Sequence, residues 1–124
     1  MKNAINWFEI PVNDFDRAKK FYSSILAAEL IEHAMPNMRY GILPYDMENQ
    51  GVGGAIVEAP GQLNPSINGT TVYLNGGDDL SIALARVEDA GGKILLTKTD
   101  IGENGFMAHF LDTEGNKIAF HSMK

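Results

Sequence analysis

The chain has 124 residues and a net charge of −6, and its ten basic residues are scattered rather than clustered, so it lacks the basic patch that nucleic-acid binding requires. Its longest run without a polar side chain is the seven residues 51–57, too short to span a bilayer. It contains no cysteine, which excludes disulfides and thiolate zinc sites, and with no signal peptide predicted we expect a cytoplasmic protein.

The first predicted element is a strand over residues 6–12, where side chains alternate with the two-residue period of a strand. Phe8, Ile10 and Val12 form its apolar face, which matches the apolar stripe of the helix that follows. We therefore expect Trp7 and Glu9 to point away from the helix.

That helix is predicted from an N-terminal cap and from its spacing. Asp14 is a good N-cap, and apolar residues follow at helical intervals as far as Leu26. Three short strands are then predicted over residues 30–34, 38–45 and 52–57. Residues 4–58 thus form one βαβββ module.

The same order of elements returns in residues 69–123, after a linker at 59–68 that contains two prolines and no periodicity. A strand at 70–74 precedes a helix that begins at Asp78 or Asp79 and ends at Gly91-Gly92. Strands 93–99, 106–111 and 117–122 complete the module. We predict one α+β domain over residues 1–124, with two βαβββ modules whose curved sheets surround a cavity.

Strand alternation also predicts which side chains face that cavity. In the second module Val72, Leu74, Ile118 and Phe120 match the helix side, and Lys117 turns away from it. The side chains that we place on the cavity side are Trp7, Glu9, Thr71, Tyr73, Ala119 and His121.

Four segments together resemble the vicinal oxygen chelate superfamily, which includes glyoxalase I, extradiol dioxygenases and bleomycin-resistance proteins. They are FEIPVNDFDRAKKFY (8–22), VGGAIV (52–57), the VYL strand with residues 78–95, and FLDTEGNKIAF (110–120). The resemblance covers nearly the whole chain and is strongest to small bacterial glyoxalase-like proteins. It implies the two-module fold already predicted.

The resemblance also implies where a metal would be held, because metal-dependent members take one ligand from each of four strands. Those positions fall on Trp7, Thr71, Ala119 and the segment GVGGAIV (51–57), which offer no imidazole and no carboxylate. We therefore predict no metal and no cofactor. A divalent metal at a displaced site built from His109, His121 and Glu9 is the alternative.

Two residues are candidates for catalysis. Glu9 is an acid on a strand that otherwise looks buried and could act as a general base, or it could simply pair with a neighbouring cation. His121 could act as a general acid or base, or lie at a strand end in solvent.

The remaining candidates would contact a ligand. Aromatic side chains suit a planar or apolar molecule unless they only fill space, and Arg39 suits an anion unless it is a solvated edge charge. The predicted ligand-binding residues are Trp7, Arg39, Tyr40, Thr71, Tyr73, Phe106, His109 and Ala119.

Three functions remain open at this point. The first is a metal-free homodimer that binds a small molecule in the sheet cavity, as bleomycin-resistance proteins do. The second is an enzyme of the lyase or isomerase type, either metal-independent through Glu9 and His121 or using a displaced metal. The third is a structural or regulatory dimer.

Overall fold

A computed structural model describes residues 2–124 and confirms an α+β fold built from two βαβββ modules. The elements of the first module are β1 (Trp7–Pro11), α1 (Phe15–Leu26), β2 (Ile31–Met35), β3 (Met38–Ile42) and β4 (Gly53–Glu58). Those of the second are β5 (Val72–Asn75), α2 (Ser81–Leu84), β6 (Lys93–Asp100), a 3₁₀ turn (Gly102–Asn104), β7 (Phe106–Leu111) and β8 (Lys117–Ser122).

Each module forms its own four-stranded sheet with the same strand order. Sheet A runs β1-β4-β3-β2 and sheet B runs β5-β8-β7-β6, and in both the first strand pairs in parallel with the last. The two sheets do not join into one closed sheet. As a result β1 and β5 each have one edge that carries no strand partner among residues 2–124.

The helix α1 begins where the sequence predicts. Asp14 is the N-cap, and its side chain accepts a hydrogen bond from the backbone N–H of Arg17. At the same helix end, Glu58 at the end of β4 accepts from the N–H of Phe15. In the second module Ser122 at the end of β8 accepts from the N–H of Leu80, so the internal repeat extends to the caps.

The helix α2 is shorter than predicted. Only Ser81–Leu84 is α-helical, and residues 85–91 continue as turns, because Arg86 and Val87 donate to carbonyls three residues back rather than four. The predicted buried stripe is nevertheless present, since Leu80, Ala83, Leu84 and Val87 are all buried.

One core cluster includes both helices and the helix-facing side chains of both sheets, and it confirms the predicted strand faces. Ile10 of sheet A, Val12 just after β1, and Leu74, Ile118 and Phe120 of sheet B all belong to it. We call this side of each sheet the helix side and the other its open face. Because both helix sides meet in one core, the two open faces are turned away from it.

The connection between β7 and β8 joins the two modules through buried polar side chains at every second position, Asp112, Glu114 and Asn116. The carboxylate of Asp112 accepts from the hydroxyl of Tyr22 at 2.6 Å and from the N–H of Glu114 and of Asn116 at 2.8 and 2.9 Å. The side-chain amide of Asn116 donates to the carbonyl of Pro11 at 2.8 Å. We call Asp112, Glu114, Asn116 and Tyr22 the polar junction.

Glu114 holds the start of α1 from the other module. Its carboxylate accepts from the N–H groups of Asn13 and Asp14 at 2.9 and 2.8 Å, and from Nε of Arg17 at 2.7 Å. No buried side-chain polar atom in residues 2–124 lacks a hydrogen-bond partner. The junction is thus fully satisfied, which is the condition under which buried polar groups stabilise a fold.

Candidate functional site

A groove of about 840 Å³ lies between the two unpaired strand edges, β1 of sheet A and β5 of sheet B. One end of β1 is held near sheet B because Asn116 binds the carbonyl of Pro11, and no ladder of backbone hydrogen bonds connects β1 to β5. The groove therefore exists because the modules are joined at the junction while their edge strands β1 and β5 do not pair with each other.

The walls of the groove are mainly apolar. The side chains that supply this surface come from both modules and are Ile5, Phe8, Ile10, Leu26, Leu43, Val72, Leu74 and Ile118. Polar groups from β1, β5 and the start of β8 border them. Of the residues that line the groove, Glu9 and Lys117 are the two that carry a charge, and they come from opposite sheets.

Two glycines at the start of β4 make room for aromatic rings on both faces of sheet A. A Cβ at Gly54 would lie 2.4 Å from the ring of Phe8, and a Cβ at Gly53 would lie 2.5 Å from the ring of Tyr45. Tyr45 also packs edge-on against Trp7, with ring centroids 6.2 Å apart. The GVGG sequence thus allows an aromatic pair to cover the part of the open face where Trp7 and Gly53 are neighbours.

Sheet B carries a hydroxyl–imidazole pair beside the groove. The hydroxyl of Tyr73 lies 3.2 Å from Nε2 of His109 and 3.7 Å from the sulfur of Met107. Burial, and next the positive charge of Lys117, lower the pKa of His109. Tyr73 itself is 49% exposed and lines the groove, so its ring is accessible to a ligand.

On sheet A, Glu9 lies on the open face together with Tyr40. A hydrogen-bonding interaction with Glu9, and next burial, raise the pKa of the Tyr40 hydroxyl. Trp7 lies on the same face and is 38% exposed, but it does not line the groove.

The two candidate catalytic residues are not brought together. Glu9 lines the groove, whereas His121 lines a smaller depression at the other end of β5. Nε2 of His121 lies 2.6 Å from the carbonyl oxygen of Asn104, which can only accept, so this nitrogen carries the proton. Between His121 and the groove, Ala119 is fully buried and offers no surface to a ligand.

Two predicted ligand residues lie on the wrong side of their strands. Arg39 turns to the helix side, where it pairs with Glu32 at 2.6 Å and stacks on the ring of Phe15 at 4.2 Å. Phe106 packs against the core and carries Lys98 over its ring. Both corrections have one cause, because strand alternation decides which face a side chain occupies and its aromatic or charged character does not.

The side chains at the implied metal positions do not fit a metal. Trp7 neighbours Gly53 across the β1–β4 pair, and Ala119 neighbours Tyr73 across the β5–β8 pair. Together with Thr71, these positions present an indole, a glycine, a methyl group and one hydroxyl, which are not the four nitrogen and oxygen ligands that such a site needs. Over residues 2–124 no group of three or more His, Asp or Glu side chains is placed to hold an ion.

The sequence patterns do not predict two parts of this arrangement. The first is Tyr45, the last residue of a predicted strand, whose ring covers Gly53. The second is the polar junction, which lies in the connection between two predicted strands. The signal that could have revealed it is the alternation of Asp112, Glu114 and Asn116 between two core strands, because three polar residues at every second position share one face.

A family model for the glyoxalase/bleomycin resistance protein/dioxygenase superfamily matches residues 4–120. The chain belongs to this superfamily. Among curated proteins it is similar to "Putative glyoxylase CFP32" of Mycobacterium tuberculosis, with 25% identity over 115 residues that cover 91% of this chain and 43% of the relative. The chain therefore spans under half the length of the curated relatives it matches.

Solved structures of low sequence identity share the fold. Glyoxalase I from Zea mays superimposes with a TM-score of 0.72 at 22% identity, covering 94% of this chain and 45% of that one. TnmS3, an antibiotic binding protein from Streptomyces sp. CB03234, superimposes with a TM-score of 0.69 at 20% identity over 100% and 99% of the two chains. No helix in residues 2–124 has the length and apolar composition to cross a membrane.

Proposed function

We propose that this superfamily member binds a small molecule in the groove between β1 and β5. The observation that carries the proposal is that the groove combines a largely apolar wall with a few polar groups, Glu9, Thr71, Tyr73 and Lys117, drawn from both sheets. Small-molecule sites in proteins have this composition and typically occupy about 300–1,000 Å³. The structural likeness to an antibiotic binding protein supports a binding role.

The proposed site is metal-free. Its support is chemical, because an indole and a methyl group stand where a metal would need ligands and the ring of Tyr45 covers Gly53. Metal analysis of protein purified without chelator tests it. Stoichiometric zinc, nickel, iron or manganese would contradict the proposal and favour the displaced metal site.

A homodimer is the second part of the proposal. Apolar side chains are exposed on the open faces of both sheets, among them Ile31, Met35 and Tyr73, and sheet edges remain unpaired. A second copy that covers these surfaces would bury them and flank the groove.

Sedimentation velocity tests the dimer. We expect Met35→Glu to shift the protein toward monomer, because it places a charge on the open face. Ile82→Glu is the matched control, since Ile82 is exposed on α2, outside the sheets. A wild-type protein that is monomeric at high concentration would contradict the dimer.

The groove itself is tested with a neutral fluorescent probe, N-phenyl-1-naphthylamine, whose emission rises in apolar sites. We expect saturable binding, and at least a tenfold loss of affinity in Thr71→Phe, because the added ring fills the groove. Thr97→Phe is the matched control, since Thr97 is exposed on β6 away from the groove. Equal affinity in the two variants would place the ligand elsewhere.

Catalysis by Glu9 and His121 stays a prediction, as does the cytoplasmic location. The separation of these two side chains gives the enzyme hypothesis no added support.

A further inference from the structure

Lys117 is the basic residue that lines the groove, and it has no ionic partner among residues 2–124. Its side chain is half-buried at the start of β8. Glu9, the acid of the same groove, is not within ion-pair distance of Lys117.

A second donor lies next to Lys117 on the same face. Val72 pairs with Ile118 in the parallel β5–β8 ladder, so Thr71 and Lys117, each one residue earlier, are neighbours on adjacent strands. The hydroxyl of Thr71 has no hydrogen-bond partner in the described part of the chain, and Thr71 also lines the groove. Asn116, by contrast, is fully used within the junction.

Resting on the proposed groove, we propose that its ligand is an apolar molecule that carries an acidic oxygen group, bound by the ammonium of Lys117 and the hydroxyl of Thr71. A carboxylate or sulfonate has two or more oxygens that can accept from both donors at once. The apolar part of the ligand then packs on the walls around Phe8, Val72 and Leu74. Burial lowers the pKa of His109 most, and the positive charge of Lys117 lowers it further, so this charge is also felt on the open face of sheet B.

Glu9 completes the recognition from the opposite wall. Its carboxylate repels an acid placed close to it and accepts a hydrogen bond from a donor group of the ligand. The acidic oxygen is therefore directed to the sheet B side of the groove, and a hydroxyl or amine of the ligand toward sheet A.

The test compares two probes that share a naphthylamine body, 8-anilinonaphthalene-1-sulfonate with its anionic group and neutral N-phenyl-1-naphthylamine without it. We expect wild type to prefer the anionic probe by about tenfold, since a charge-assisted hydrogen bond contributes on that scale. Lys117→Gln should remove this preference, so that the ratio of the two affinities falls to about one. Lys117→Arg should keep most of the preference, because the charge is retained.

Lys93→Gln is the matched control, since it removes the same charge from an exposed position on β6 outside the groove. Circular dichroism and thermal melts of each variant check that the fold is kept. Equal affinities for both probes in wild type, or a preference that survives Lys117→Gln, would overturn the inference and leave the groove proposal standing. Failure of both probes to bind would overturn both.

Discussion

The two modules meet at the polar junction and at the groove, and these regions differ in whether their polar side chains have hydrogen-bond or ionic partners. At the polar junction the donors and acceptors of Asp112, Glu114, Asn116 and Tyr22 are paired with one another, with backbone groups, or with the side chains of Arg17 and Thr113. In the groove Lys117 and Thr71 are left without partners from residues 2–124. Polar groups that pair internally hold the fold, whereas accessible unpaired groups against an apolar wall are available to a ligand.

The two regions also depend on each other. The bond from Asn116 to the carbonyl of Pro11 holds β1 near sheet B and so helps set the width of the groove. Burial, the charge of Asp112 and its hydrogen bond raise the pKa of Tyr22 well above its usual range, so the hydroxyl stays a donor. The following changes separate the regions, from the largest expected effect to the smallest.

The strongest way to break the junction is Asp112→Ala. It leaves the Tyr22 hydroxyl and the N–H groups of Glu114 and Asn116 without their acceptor in a buried site. We expect a loss of about 3–5 kcal/mol in the free energy of unfolding, measured by urea denaturation. A loss within experimental error would mean that water replaces the carboxylate and that the junction is not structural.

Gly54→Ala tests the wall of the groove. The new Cβ would lie 2.4 Å from the ring of Phe8, which must move into the groove or the core. We expect a loss of about 1–3 kcal/mol in the free energy of unfolding, together with weaker probe binding. Gly69→Ala is the control, because a Cβ there meets only the carbonyl of Ser66 at 3.9 Å and should not destabilise.

The junction is further tested by pH. Burial alone would raise the pKa of Glu114, but the hydrogen bonds from Arg17, Asp14, Thr113 and Asn13 outweigh it and lower the pKa below the ordinary 4.5. The unfolded chain therefore binds this proton more readily than the folded one. Its stabilising contribution is complete above pH 4.5 and is lost as the pH falls through the lower folded value.

Glu114→Gln is the variant that isolates this contribution. We expect it to lose about 1–2 kcal/mol at pH 7 and to approach the stability of wild type in acid, measured by urea denaturation across the pH range. Glu88→Gln, an exposed carboxyl outside the junction, is the control. A constant difference between wild type and Glu114→Gln at every pH would show that the charge of Glu114 is not what matters.

The smallest effect on the free energy of unfolding is expected for the two charged side chains of the groove. Lys117→Met and Glu9→Gln remove charges that have no ionic partner in residues 2–124, so each should change the free energy of unfolding by at most about 0.5 kcal/mol. The same urea denaturation that reports on Asp112→Ala provides the measurement. A loss of several kcal/mol in either variant would erase the contrast between the two regions.

The order of elements along the chain, the internal repeat and the faces of β1, β5 and β8 could be predicted from residue patterns. Phe8 and Ile10 are on the helix side and Trp7 and Glu9 on the open face, as alternation predicts. The predicted placement in the cavity is wrong for Arg39 and Phe106, because their charged or aromatic character does not indicate which face of a strand they occupy. The prediction also extended α2 too far, because turns of three-residue spacing keep nearly the same buried stripe as a helix.

What the amino-acid sequence alone determined is therefore local: the element types, most of their boundaries apart from the end of α2, and the membership of the superfamily that the family model confirms over residues 4–120. The tertiary structure decided where these elements create a site. The polar junction joins Pro11 to Asn116, 105 positions away, the groove is likewise lined by both modules, and the geometry of each follows from how two modules pack around one core. Periodicity reports which side of a strand a residue occupies, but only packing determines what lies opposite that side.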